Sequence, residues 1–248
     1  MHRFYIPPAR WNLDAPVLDA GEAHHCTDVL RLAAGDRVTL FNGQGAEATA
    51  QITSIARDAV ALKVLQSART GPLPVQVTLA QAIPKGKNME FILQKAVELG
   101  AARIVPIQSE RTVVQLDPDD LARKREKWQS TVIEAAKQCG QNWLPEVATP
   151  VAPRAFFESA PRFDLMLIAS LQPDARRFRE VLAEFASAMP SGTRNVLVMV
   201  GPEGDFTPAE LALAKSHGCR PVSLGPIVLR TETAALYCLS AISYALFG

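Results

Sequence analysis

The chain has 248 residues, 48% of them hydrophobic, enough apolar material for one large or two modest folded units. Its wholly apolar runs, such as Val196 to Val200, are far too short to span a bilayer, and Met1-His-Arg-Phe-Tyr-Ile-Pro lacks the apolar segment of a signal peptide. A net charge of +1 excludes a global basic field, so any nucleic-acid footprint must be a local cluster. Four scattered cysteines, Cys26, Cys139, Cys219 and Cys238, form no C-x-x-C pair. That argues against a zinc site and for reduced thiols in a cytoplasmic setting.

In chain order, residues 4–6 read as a short strand before Pro7-Pro8, and 22–32 as a helix carrying His24-His25-Cys26. Neighbouring residues on a helix point about 100° apart, so that run is a poor chelate. A strand over 37–41 leads into Asn42-Gly43, a hairpin turn signal, followed by strands over 48–55 and 60–65. Gly71, Pro72 and Pro74 mark 67–74 as a linker.

From Val75 strands alternate with helices, the pattern of a parallel sheet covered on both faces. Strands are expected over 75–80, 103–107, 163–169, 196–200 and 221–224. Helices are expected over 88–99, from Pro118 to Gly140, and over 174–188, 207–217 and 231–247. Thr207-Pro-Ala-Glu210 has the form of a capping box. The run Arg123, Lys124, Arg125, Lys127 reads first as a solvated helix face. The last helix is apolar nearly all round, so it needs burial on most sides, and a second copy of the chain would supply the remaining face.

Two stretches carry chemical signal. Gly201-Pro-Glu-Gly204 follows an apolar strand, where ligands of open α/β sheets bind and where glycine lets backbone approach a ligand. Neither G-x-G-x-x-G nor G-x-x-x-x-G-K-[ST] is present. Arg230-Thr-Glu-Thr233 opens the last helix. Capping and the macrodipole account for Thr231 and Glu232 but not for Arg230, a cation at the wrong end of a helix.

The ordered set of motifs resembles the bacterial small-subunit rRNA uridine-N3 methyltransferases of the RsmE type, in the SPOUT superfamily. It includes His25-x-x-x-Val29-Leu30-Arg31, Gln81-Ala-Ile-Pro-Lys-Gly86, Ser109-Glu-Arg111, Glu134-Ala-Ala-Lys-Gln138, Gly201-Pro-Glu-Gly204 and Leu224-Gly-Pro-x-Val-Leu-Arg-Thr-Glu-Thr-Ala234. The resemblance implies an α/β fold: an N-terminal PUA-like β-barrel over 1–70 and a C-terminal SPOUT domain with a trefoil knot over 75–248. It further implies S-adenosyl-L-methionine (AdoMet) as cofactor, 16S rRNA of the small ribosomal subunit as partner, and a homodimer. Carried onto this chain, the cofactor loops are Gly201, Glu203, Gly204, Leu224, Gly225, Val228, Leu229, Thr231 and Thr233. Asp205 stands where the family usually has a second glycine, Ile227 where it usually has arginine, and Gln141 replaces a frequent arginine.

Methyl transfer to uracil N3 requires loss of the N3 proton, so a base or a cation that stabilises the anionic ring is needed. Arg230 is the expected stabiliser, and Glu232 the base or the partner that orients Arg230. Candidate RNA contacts are His25, Arg31, Lys85, Lys87 and Arg111. The competing readings are a ribose 2′-O methyltransferase and a non-catalytic RNA-binding or assembly factor; no metal is expected.

Overall fold

A computed structural model describes residues 1–113, 116–188 and 194–247, which fold as two compact units. The first comprises Met1–Pro72 with Ile133–Leu144, the second Leu73–Val132 with Pro145–Gly248. A single cut at 70–75 therefore does not reproduce the first unit, which takes in a distant piece of chain.

In that first unit β1 (Arg3–Tyr5), β2 (Val17–Leu18), α1 (Ala20–His24), β3 (Arg37–Phe41), β4 (Ala46–Ile55) and β5 (Val60–Arg69) follow in order. The five strands form one sheet, β1-β3-β4-β5-β2, with β1 parallel to β3 and the remaining pairs antiparallel. Period-two alternation turns Val38, Leu40, Ala48, Ala50, Ile52, Val60 and Leu62 inward, around Phe4, Leu18 and Cys26. Each such large apolar side chain contributes roughly 1.5–3 kcal/mol on burial.

Three expectations change here. The helix over 22–32 is shorter: α1 gives way to a π-helical turn, His25–Val29, in which Leu30 N donates to His25 O at 3.0 Å. Arg31 then takes φ +55°, and Leu32 N reaches back to Cys26 O at 3.0 Å. A left-handed residue followed by a bond back across the last turn ends a helix, a place glycine usually fills. The Asn42-Gly43 turn is a four-residue loop instead of a two-residue one, because Asn42 Oδ1 accepts from both Gln44 N and Ala46 N. The expected linker is half strand: Ser67, Ala68 and Arg69 pair with Ala48, Glu47 and Ala46.

The segment from Ile133 joins this unit through specific bonds. Leu144 N donates to Gly43 O, Gly45 N to Asn142 O, and Arg3 Nη2 to Asn142 Oδ1. Gly45 must be glycine: a Cβ there would lie 2.4 Å from Thr70 O and 2.8 Å from the Trp143 ring. Lys137 is bonded to Glu22, whose carboxyl burial nonetheless pushes above its ordinary range.

The second unit contains β6 (Val75–Ala82), α2 (Asn88–Glu98), β7 (Ala101–Ile107), α3 (Pro118–Cys139, shared with the first unit), β8 (Glu146–Val147), α4 (Pro153–Ser159) and β9 (Leu165–Ala169). It continues with β10 (Arg176–Arg177), α5 (Phe178–Ser187), β11 (Arg194–Val200), α6 (Pro208–Ser216), β12 (Arg220–Ser223) and α7 (Thr231–Leu246). The sheet is parallel throughout, in the order β10-β12-β9-β11-β6-β7-β8. Its middle strands are buried along nearly their whole length, as two covered faces require. Ala80, Ile107, Ile168, Leu197 and Met199 pack with Phe156, Phe157 and Leu211 of α4 and α6, while α7 packs on α2, α5, β6 and β11.

The helix expected over 174–188 is corrected at its start. Arg176 and Arg177 are extended and pair with Val222 and Ser223, so α5 begins only at Phe178. The capping box at α6 is present, with both reciprocal bonds between Thr207 and Glu210. No helix among the described residues is long and apolar enough to cross a membrane.

Candidate active site: a cleft at three strand ends

The chain leaves β9, forms the edge strand β10, then reaches β11 on one side of β9 and β12 on the other. Such a reversal opens a crevice at the carboxyl ends of the strands. A cleft of ≈ 270 Å³ lies there, walled by 169–171 at the end of β9, 200–203 and 205 at the end of β11, and 224, 225 and 227–231 after β12.

The two loops expected from sequence meet at one hydroxyl. Thr231 Oγ1 donates to Gly201 O at 2.7 Å, and Gln81 Nε2, at the end of β6, lies 3.0 Å from Thr231 Oγ1. A threonine hydroxyl has one proton, and Gly201 takes it, so Gln81 must be the donor in its own bond. Gln81 is fully buried, and its Nε2 also donates to Ala82 O while its Oε1 has no partner among the described residues. Removing the hydroxyl takes the donor from Gly201 O and the acceptor from one N–H of the buried Gln81 amide, at about 1–3 kcal/mol for each bond left unmade.

The wall after β11 is held on every side. Lys85 N donates to Glu203 Oε1 at 3.1 Å, and Arg111 Nη1 to Gly204 O at 2.6 Å. Glu110 N donates to Glu210 Oε1 at 2.9 Å, tying the loop after β7 to the capping box of α6. Asp205 takes φ +60°, the left-handed region where glycine is cheapest, and its Oδ1 accepts from Phe206 N at 2.7 Å. Asp is among the few side chains that tolerate this geometry, which explains how the chain does without glycine here.

The wall after β12 is different. Gly225 has φ +127°, and Ile227 and Val228 are 74% and 72% exposed. Arg230 is the N-cap of α7, exposed and extended, and its side chain makes no capping bond. Guanidinium has no acceptor, so the first-turn N–H groups of α7 lack a side-chain partner from the cap and remain available as donors.

Of the expected cofactor residues, Gly201, Glu203, Leu224, Gly225, Val228, Leu229 and Thr231 line the cleft, as does Arg230. Gly204 and Thr233 do not; Gly204 is the Arg111 anchor, and Thr233 is exposed in the first turn of α7. Glu232 is half-buried off the lining, and no ion pair among the described residues joins it to Arg230. Lys85, Lys87 and Arg111 belong to this unit, whereas His25 and Arg31 lie in the first, His25 edge-on to Phe4 and Arg31 exposed. His24 pairs with Asp28 at 2.6 Å, and no group of three potential ligands among the described residues is arranged for a metal.

Sequence reasoning missed the third wall, Ala169, Ser170 and Leu171, and the part played by Gln81. The signal for the wall was an apolar strand stopped by a small polar residue. Gln81 stood in a quoted motif, but only the fold brings it to Thr231.

A family model described as an RNA methyltransferase domain matches residues 71–243, and one described as an RNA methyltransferase PUA domain matches 18–65. Ribosomal RNA small subunit methyltransferase E of Bacillus subtilis (strain 168) is 34% identical over 248 residues, covering 98% of this chain and 96% of that protein. A putative methyltransferase from Legionella pneumophila, solved with bound cofactor SAM, matches at 36% identity and TM-score 0.87, covering 98% of this chain and 97% of that one. The ribosomal RNA small subunit methyltransferase E from Neisseria gonorrhoeae, bound to S-adenosyl methionine, matches at 32% identity and TM-score 0.84 with the same coverage.

Proposed function

Because the chain belongs to the ribosomal RNA small subunit methyltransferase E family, we propose that it methylates N3 of a uridine in 16S rRNA, using the cleft at the three strand ends. It is an AdoMet-dependent rRNA methyltransferase with an N-terminal PUA domain. The observation that carries the site assignment is the Thr231–Gly201 bond, which makes two loops thirty residues apart into one cleft bordered by Arg230.

The lining suits the cofactor. Leu171, Ile227, Val228 and Leu229 offer apolar surface for a flat ring, and the backbone of 200–205 and 224–230 offers donors and acceptors. Gly201, Glu203, Leu224, Gly225, Val228, Leu229 and Thr231 would hold it, with Gly204 and Thr233 supporting from behind the lining. AdoMet supplies an electrophilic methyl group on a sulfonium, so no metal or covalent nucleophile is required.

The protein's own work is alignment and charge. Correct positioning of the two reactants supplies roughly 7–11 kcal/mol of such a barrier. Arg230, with no ion-pair partner among the described residues, stabilises negative charge on the uracil oxygens as N3 loses its proton. Glu232 is the base, or orients Arg230 once RNA is bound. Uracil N3 lies on the pairing edge, so the target enters unpaired, at a cost of a few kcal/mol if it leaves a stack. His25 and Arg31 hold flanking RNA in the PUA domain; Lys85, Lys87 and Arg111 do so in the catalytic domain.

The chain works in the cytoplasm as a homodimer with a trefoil knot in its second domain. Supporting the dimer, α7 leaves Tyr244 92% exposed and Tyr237 47% exposed, a costly surface for a lone chain. Light scattering on the purified protein tests this, with twice the 26.9 kDa chain mass expected. The reaction is tested by nucleoside mass spectrometry of rRNA treated with protein and AdoMet. 3-Methyluridine is expected; a 2′-O-methyl nucleoside, or no product, would overturn it.

A further inference from the structure

Three ammonium groups gather round a single carboxylate on the loop-and-helix segment next to the anchored wall. Lys87 is the N-cap of α2, Glu90 lies in the first turn of that helix, and Lys124 and Lys127 are one turn apart on α3. Lys127 Nζ lies 2.6 Å from Glu90 Oε1. Lys87, Lys124 and Glu90 line a recess of ≈ 50 Å³ together with Gly86. The hydrogen bond from Lys127 holds the Glu90 carboxyl below its ordinary range, and the charges of Lys127, Lys87 and Lys124 act in the same direction. Glu90 is therefore ionised at neutral pH, and one negative charge against three positive leaves two uncompensated.

A solvated helix face does not account for this arrangement. The other cations of the α3 run are occupied: Arg123 pairs with Asp120, and Arg125 Nε donates to Val147 O at 3.1 Å. Lys124 is half-buried, and among the described residues it has no hydrogen-bonding partner. A lysine whose stem is half-buried and whose ammonium has no acceptor among the described residues is placed to bind an anion. Lys87 adds a second anomaly, since a cation at a helix N-terminus opposes the macrodipole and an anion there would relieve it. Of the large apolar side chains of the recess, Ile83, Met89 and Trp128 are buried and only Leu116 is half-buried, so the surface offers little of the apolar centre of a protein interface. The loop that carries Lys87 is also the one bonded to the cleft, through Lys85 N and Glu203.

We infer that Lys87, Lys124 and Lys127 form a phosphate track for single-stranded RNA, gripping the backbone that flanks the nucleotide presented to the cleft. The inference rests on the RNA methyltransferase reading above and adds the α3 lysines to the substrate path. Its chemistry is sequence-independent: ammonium groups meet phosphodiester oxygens and release counterions, leaving base readout to other parts of the protein.

The test uses the full-length protein and a single-stranded fragment of small-subunit rRNA, with binding measured by fluorescence anisotropy over a salt series. Each single-strand phosphate contact contributes about 0.7 to the slope of log affinity against log salt, so Lys87→Gln/Lys124→Gln is expected to flatten it by roughly 1.4. AdoMet affinity of the double variant should equal that of the wild type, which also reports that it is folded. Arg179→Gln, an exposed cation on α5, controls for net charge and should leave the slope unchanged. An unaltered slope in the double variant, or equal flattening per charge in Arg179→Gln, overturns the track. So does a defect seen only on assembled subunits with naked-RNA binding intact, which would assign the cluster to a protein surface. A wild type that methylates no RNA sinks the parent reading; a methylating wild type with an unaltered variant slope sinks only the track.

Discussion

The two loops that enclose the cleft are built in opposite ways. The loop after β11 is tied by the Lys85 amide, the Arg111 guanidinium, the Asp205 carboxylate and a capping box. The loop after β12 is, by contrast, held at its end by the Thr231 hydroxyl, and before that has among the described residues only long contacts between Ser223 Oγ and Gly225, the one to Gly225 N at 3.4 Å. It carries two apolar side chains in solvent and ends on an arginine. One wall is tied from several sides; the other has fewer ties and carries Arg230, the group proposed to act on the substrate. A site proposed to admit a cofactor and then an unpaired base would use this division, since two rigid walls would block entry and two loose ones would forfeit alignment.

The sharpest way to break the comparison is on the free wall. Arg230→Ala should lower methyl transfer at saturating substrates by about 10²–10³-fold, the usual effect of deleting one donor to developing negative charge. AdoMet binding, followed by calorimetry, should largely survive. Turnover near that of the wild type would remove Arg230 from the chemistry. On the fixed wall the effect is smaller and of another kind. Arg111→Ala frees Gly204 O and should weaken AdoMet binding by roughly tenfold or less, a charge-assisted bond at an exposed site. If it instead abolished turnover with binding intact, the roles of the walls would be reversed.

Smaller still is Asp205→Ala, which keeps φ +60° but loses the tolerant side chain and its bond to Phe206 N. It should cost about 1–2 kcal/mol in thermal or denaturant unfolding, with Asp205→Gly recovering the backbone part. Equal stability of the Ala and Gly variants would show that this turn is not strained. Least of all, Cys238 should not react. Burial pushes its thiol up to about 12, so at pH 8 only about one in ten thousand is thiolate. A thiol reagent should label exposed Cys139 and leave Cys238 untouched, and labelling of Cys238 would show that the looseness runs on into α7.

How much of this was legible in the sequence depended on whether the cause was local. Apolar strands, the capping box at Thr207 and the two glycine-bearing loops announce themselves through short-range pattern. The π turn at His25 does not, since its extra residue per turn leaves the apolar spacing nearly helical. Nor does the recruitment of Asn142 and Trp143 to the first unit, because their partners, Arg3, Gly45 and Thr70, lie far along the chain. Arg176 and Arg177 read as helix because the strand they pair with comes more than forty residues later. In the site, the resemblance located the loops, but the wall at Ser170 and the Gln81–Thr231–Gly201 chain follow from strand order, which no single stretch encodes.

The most direct measurement is an AdoMet titration of the wild type, Thr231→Ser and Thr231→Val side by side by calorimetry, with thermal unfolding of each in parallel. Serine keeps the hydroxyl that joins the walls and should bind within a few-fold of the wild type. Valine removes the donor to Gly201 O and one of the two acceptors of the Gln81 amide, and should bind about 10–100-fold more weakly while remaining folded. Equal affinities for all three proteins would contradict the claim that one hydroxyl unites two distant loops into the cofactor cleft.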